Sequence, residues 1–413
     1  MKSRLGPNPI LYFVLFLPFG AASGFVSIAL GYLAHQAGMS VTAISVLVST
    51  TLLPQTVKWM WAPLIDVLWK RKGWYLSANL ISSLTVASLG FVPITEANLP
   101  LLEALVLLNS LASTFVCMSC EAIMAHATPE AGRGRAGGFS QAGNLGGSGI
   151  GGGLGLFMAT HFAQPWMATG ALALMLMVCN LALIPLPEPP RLAGTLWQGF
   201  KEVGADLWKL VTARSSVLPL ALCFLPAGAG AASGLFSSIA SSWHASENLV
   251  SIMNGTLSGV IMIGGCLAAA PLSDAMNRKG AYAMAGAILA AIAAIVAVLP
   301  RNEGTYAVLC ISYSFAAGLA YGTFTAFVLQ AIGGGAAATK YNVFAALSNI
   351  PIYYMTRIDG VAFDKWGPAN MLRVDAAAGV IGLLLLGVVV VALKSLWPVR
   401  EPAALPKATV INR

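Results

Sequence analysis

Four charged residues stand inside long apolar runs and are the first candidates for chemistry. Lys58 lies in the run 42–65, Glu121 in 101–126, and Arg357 and Asp359 in 341–363. A charge at the centre of a bilayer costs at least about 2.5–3.5 kcal/mol, so such a side chain faces a partner or a cavity. Lys58 and Glu121 lie within about two turns of the same end of their runs, so the two can pair. That arrangement suits a proton-titrating carboxylate with Lys58 as its partner or as an anion site. It equally suits a structural ion pair. The fork of Arg357 fits a carboxylate or phosphate in a cavity, or the side chain snorkels to headgroups. Asp359 and Asp364 favour local pairing, and Asp375 reads as interfacial. Asn144 and Asn349, with Gln55, Gln141 and Gln330, add neutral groups for cavity contact or helix–helix hydrogen bonds.

Other motifs carry no chemistry. Gly147-x-Gly149-x-x-Gly152 matches a dinucleotide loop, but no strand precedes it and it lies in an apolar run. Its overlapping Gly-x-x-x-Gly spacings predict close helix contact instead. Cys117 and Cys120 form a lone CxxC without a second pair, read as packing residues. Four histidines lack metal-ligand spacing. No cofactor site is expected.

The elements that must position these groups follow from composition. Of 413 residues, 57% are hydrophobic and 9% charged, against about 25% charged in a soluble domain. Mean hydropathy is +0.78. This excludes a cytosolic enzyme, a disordered regulator and a nucleic-acid binder, despite the net charge of +8. A membrane-spanning helix needs about 20 apolar residues. Twelve candidates follow: spans one to twelve at 10–34, 42–65, 74–95, 101–126, 136–160, 166–186, 216–241, 249–271, 281–300, 305–331, 341–363 and 371–396. The predicted organisation is a six-helix bundle over 1–186, a linker over 187–215, a second bundle over 216–396 and a tail over 397–413. In the linker, Leu196, Trp197, Phe200, Val203, Leu207, Trp208 and Val211 recur at mostly helical spacing, predicting an amphipathic interfacial helix.

Basic residues set the orientation. With the N-terminus inside, eighteen of the 23 Lys and Arg fall in cytoplasmic segments, and only Arg301, Lys365 and Arg373 fall outside. Both termini are therefore expected in the cytoplasm, in the lipid bilayer of a bacterial inner membrane.

The halves repeat. Gly20-Ala-Ala-Ser-Gly-Phe25 matches Gly230-Ala-Ala-Ser-Gly-Leu235, 210 residues on. Ala62-Pro-Leu-Ile-Asp66, followed by Lys70, Arg71 and Lys72, matches Ala270-Pro-Leu-Ser-Asp274, followed by Arg278 and Lys279. Phe139–Asn144 resembles Phe344–Asn349. Three matches at nearly one offset imply two parallel six-helix repeats.

The Asp-then-basic turns resemble the loop signature of the major facilitator superfamily. The resemblance covers the whole chain and implies an all-α polytopic membrane protein with twelve transmembrane helices in two pseudo-repeats. It also implies that Asp66, Lys70, Arg71, Asp274, Arg278 and Lys279 latch the cytoplasmic side, with alternating access about a midplane cavity. The Lys58-Trp-Met-Trp-Ala-Pro-Leu-Ile-Asp66 segment is similar to the muropeptide permease and acetyl-coenzyme A transporter group. The expected function is a proton-coupled secondary transporter, acting as a monomer on a small, organic, partly anionic solute such as a muropeptide. A siderophore is the second reading. A membrane transferase would need catalytic acids or histidines clustered at one membrane face, and the sequence has none.

Overall fold

The computed structural model describes residues 6–188, 195–213, 216–332 and 343–396. Among them the expected spans are helical, joined by short turns. Seven of these helices are long and apolar enough to cross a membrane unbroken. The other spans are interrupted or dilute their apolar residues. Span two breaks after Thr50 and again at a 3₁₀ turn over Lys58–Trp61. Span five turns on glycines through a π-helical stretch, Ile150–Leu154. Span eleven carries Arg357, Asp359, Asp364 and Lys365 within Asn349–Trp366.

The repeated Gly-Ala-Ala-Ser-Gly is not repeated in conformation. In span one it lies within the helix Ile10–Gly24. In span seven, Gly228 (φ 69°) and Gly230 (φ 66°) enter the left-handed region after Pro226. Helix then resumes only as a 3₁₀ turn, Ala231–Leu235. Glycine allows this because no Cβ meets the carbonyl.

The glycines of span five press on the backbone of span one. A Cβ at Gly143, Gly147 or Gly151 would collide with the carbonyl oxygens of Phe13, Leu17 or Ala21. Gly170 in span six has open space around the same position. Overpacking of this kind costs about 1–3 kcal/mol. Gly151→Ala is therefore expected to lower the melting temperature in detergent, whereas Gly170→Ala leaves it unchanged. Equal melting curves for the two variants would remove this contact from the account of stability.

Apolar packing is arranged differently at the two ends of the bundle. At the end remote from the N-terminus one continuous core joins residues of both halves, including Leu30, Leu47, Leu156, Ile239, Val250 and Leu372. At the other end the core divides, with Tyr12, Phe16 and Ile123 in one part and Leu222, Val328 and Phe344 in the other. The helix Leu196–Thr212 spans that second end. It leaves Trp197 and Trp208 67% and 71% exposed, while Leu207 packs on the C-terminal core.

Candidate functional site

Where the core divides, a cavity of about 790 Å³ opens between the halves. Spans one, two, four and five supply Ser23, Gln55, Lys58, Cys117, Glu121 and Asn144; spans ten and eleven supply Tyr321, Thr325 and Asn349. Spans one, five, eight and ten add the apolar wall of Phe16, Phe19, Leu145, Met262 and Gly322.

Lys58 and Glu121 are joined through sulfur. The 3₁₀ turn Lys58–Trp61 directs Lys58 toward span four, where Nζ donates to Cys117 Sγ at 3.9 Å. Cys117 Sγ donates in turn to Glu121 Oε1 at 3.5 Å, one helical turn on. Trp61 Nε1 donates to Thr114 Oγ1 at 3.1 Å and holds the turn against the same helix. The polar corner thus offers one ammonium, one carboxyl and one thiol in a mostly apolar cavity. Asn144 Nδ2 donates to Gln141 Oε1 at 3.5 Å. Asn349 Nδ2 donates to the carbonyls of Ala345 and Ala346 at 3.1 and 3.2 Å.

Arg357 and Asp359 are not on the cavity wall. Arg357 lies at the sealed end, where Nε donates to Ser49 Oγ at 2.9 Å and Nη2 stands 3.7 Å from Glu103 Oε1. Thr50 Oγ1 donates to the same Glu103 oxygen at 3.2 Å. Asp364 accepts from the backbone N–H groups of Val41 and Thr42, at 3.0 and 2.6 Å. The pairing expected among Arg357, Asp359 and Asp364 does not form: Arg357 and Asp364 turn to spans two and four, and Asp359 has no hydrogen-bond partner among the described residues. Further bonds cross at this end, from Ser237 Oγ to the Ser27 carbonyl at 2.8 Å and between His35 Nε2 and Ser241 Oγ at 2.9 Å.

Asp375 departs from the interfacial reading. It is buried and accepts from Tyr313 Oη at 2.8 Å. The reason is local: span twelve packs on spans nine and eleven, so this face turns inward.

At the divided end, the side chains of Asp66 and Asp274 lie outside the described residues, as does that of Gln330. Lys70 and Lys279 are exposed. Arg278 Nη1 donates to the Ala326 carbonyl at 3.2 Å. Glu188 accepts from the backbone N–H groups of Arg71 and Lys72, at 2.7 and 3.3 Å. It supplies the N-terminal cap that Lys70 cannot give span three. Glu188, Glu103, Cys117 and Asp375 were not singled out as site residues from sequence. Glu103 had a signal, an acid one turn inside an apolar run, and Glu188 followed a proline-rich stretch.

The comparisons agree with this architecture. The Major Facilitator Superfamily profile matches residues 11–353, and the chain belongs to that superfamily. It is a multi-pass membrane transporter rather than an enzyme. No curated protein sequence matches it. Among similar solved structures is a POT family transporter in complex with 5-aminolevulinic acid, at TM-score 0.70 and 10% identity over 93% of this chain and 96% of that one. The nucleoside transporter NupG has TM-score 0.67 and 14% identity over 95% and 99%. The inward-open conformation of the xylose transporter XylE from E. coli has TM-score 0.67 and 15% identity over 94% and 99%. At these identities the likeness is one of fold.

Proposed function

We propose that this chain imports an organic, partly anionic solute across a bacterial inner membrane in symport with protons. The observation that carries the reading is the Lys58–Cys117–Glu121 corner in a cavity built by both halves. Lys58 supplies a positive charge for a carboxylate or phosphate, and the neutral wall of Asn144, Asn349, Tyr321 and Thr325 takes hydroxyl and amide groups. Glu121 is the carboxyl whose protonation changes the charge of the corner. A volume of about 790 Å³ lies in the range that encloses a drug-sized molecule, roughly 300–1,000 Å³. A muropeptide fragment fits this chemistry, with its sugar hydroxyls, amides and carboxylates.

In this reading the N-terminus and the linker helix face the cytoplasm, and the conformation is open inward. The basic turns at Lys70–Arg71 and Arg278–Lys279, with Asp66 and Asp274, latch the cytoplasmic end when the cavity faces outward. The transporter works as a monomer, with the proton gradient in place of any bound cofactor.

Uptake of a labelled panel into proteoliposomes tests the reading. Muropeptides are expected to accumulate under an inward proton gradient, and neutral sugars and nucleosides are not. Accumulation of neutral solutes alone would overturn the anionic assignment. Accumulation that ignores the gradient would overturn symport. A ferric siderophore accumulating in place of muropeptides would select the second solute class.

A further inference from the structure

A second set of acids lies outside the cavity. Asp359 is fully buried, and neither carboxylate oxygen has a hydrogen-bond partner among the described residues. Asp375 of span twelve is 8% exposed and within electrostatic reach of Asp359. Tyr313 of span ten, also fully buried, donates to Asp375 and feels both carboxylates. Two acids therefore share a buried site with one phenol.

Among the described residues no cation faces them from the elements packed on spans eleven and twelve; span nine carries Arg278, bonded to the Ala326 carbonyl, and Lys279, which is exposed, both at the divided end. The segments Val41–Thr50, Leu53–Val57 and Ala231–Leu235 pack against span eleven and contain no Lys, Arg, His, Asp or Glu. Span twelve brings Arg373, which is exposed and bonded to Asn370. On span eleven itself, Arg357 and Asp364 are engaged with spans two and four. An isolated carboxylate in such a site carries a large desolvation penalty, which a bound proton removes.

The same helix holds the sealed end. Arg357, Gly360 and Asp364 follow helical spacing along one stripe. Arg357 touches Ser49, a Cβ on Gly360 would meet Ser45, and Asp364 reaches Val41 and Thr42. Asp359 is two residues from Arg357, about 200° around the helix, and so faces the C-terminal core.

We propose that Asp359 and Asp375 form a proton-binding site separate from the solute cavity, whose occupancy is transmitted by span eleven to the seal against span two. It rests on the reading of the chain as a proton symporter. Asp359 carries the exchangeable proton, while Asp375 remains the acceptor of the Tyr313 hydroxyl. The proton arrives from water on the outer side and leaves to water on the inner side, and no other bond is made or broken. Its departure leaves two negative charges in a low-dielectric site, and their repulsion acts on the rigid helix that bears Arg357 and Asp364.

The test combines infrared spectroscopy with transport, using the full chain in liposomes. A protonated carboxyl has a carbonyl stretch that a carboxylate lacks. The parent protein is expected to show such a band titrating with pH, and Asp359→Asn to remove it. Glu121→Gln is expected to leave that band, and Tyr313→Phe to move its midpoint. Asp359→Asn is further expected to reduce proton-driven accumulation to the level reached without a gradient, with solute affinity and solute exchange as in the parent. Asparagine is nearly isosteric, and a melting curve confirms that the variant is folded. A titrating band that survives both Asp359→Asn and Asp375→Asn overturns the proton site. Full accumulation by Asp359→Asn overturns its part in coupling. Should the parent ignore the proton gradient, the symport reading fails, while the infrared titration still decides whether the site binds a proton.

Discussion

Lys58→Ala is expected to lower solute affinity roughly 10- to 100-fold, because a hydrogen bond to a charged group is worth about 1.5–3 kcal/mol. The loss should appear in KM and in equilibrium binding. It should be largest for solutes bearing a carboxylate or phosphate and small for a neutral analogue of the same size. Lys58→Arg keeps the charge but not the position, since Lys58 reaches Cys117 from the 3₁₀ turn Lys58–Trp61. It is expected to recover only part of the affinity. Cys117→Ser tests the link to Glu121 and should change affinity far less than Lys58→Ala. Glu121→Gln has a different signature, in which solute binding loses its pH dependence and accumulation stops, while downhill exchange continues. Isothermal binding titration, with uptake across a pH series, separates these outcomes. If Lys58→Ala binds an anionic solute as tightly as the parent, the corner is a structural pair and the solute anion sits elsewhere.

The fold was legible because its determinants are patterns. Twelve apolar runs, the bias of Lys and Arg, and the repeated Ala-Pro-Leu-x-Asp each constrain topology before any contact is known. The glycine stripe of span five was legible too, since close approach of two helices asks for small residues at fixed spacing. Its partner, the backbone of span one, was not named by any motif.

The site was only partly legible. Lys58 and Glu121 stood out because charge is rare in an apolar run, and they line the cavity with Asn144 and Asn349. The same rule selected Arg357 and Asp359 but could not say which way each side chain turns. That depends on how spans ten, eleven and twelve pack, and pairing across 308 residues in sequence, as between Arg357 and Ser49, leaves no local signal. Asp375 was read as interfacial because it lies near a helix end. Position along the membrane normal says nothing of whether a residue faces lipid or protein. Cys117 was read as packing, and its contact with both charges follows only from the irregular turn in span two.

The second large effect is expected at the sealed end. Asp364 accepts from two free N–H groups at the start of span two, where the helix dipole adds to the attraction. Because Asp364 is exposed, water competes with both bonds, and together they are worth about 1–2 kcal/mol. Removing them should shift the balance between inward- and outward-open forms roughly 5- to 30-fold. Span two keeps its own cap, since Ser40 Oγ accepts from the Ala43 N–H at 3.2 Å. Asp364→Ala should therefore change conformation without unfolding the helix. Arg357→Ala should act in the same direction but less, because its ion pair with Glu103 is long, at 3.7 Å, and more than a third exposed. The readout is a single cysteine in place of Ser45, buried between spans two and eleven, in a chain whose six native cysteines are replaced. Its reaction with an impermeant maleimide added outside right-side-out vesicles should accelerate in Asp364→Ala, while Asp364→Glu should keep the parent rate. The same variant should weaken retention of accumulated solute, since a loosened outer seal gives the solute a way back. An unchanged labelling rate in Asp364→Ala would mean that the apolar core around Leu47 and Ile239 holds this end closed without help from charge.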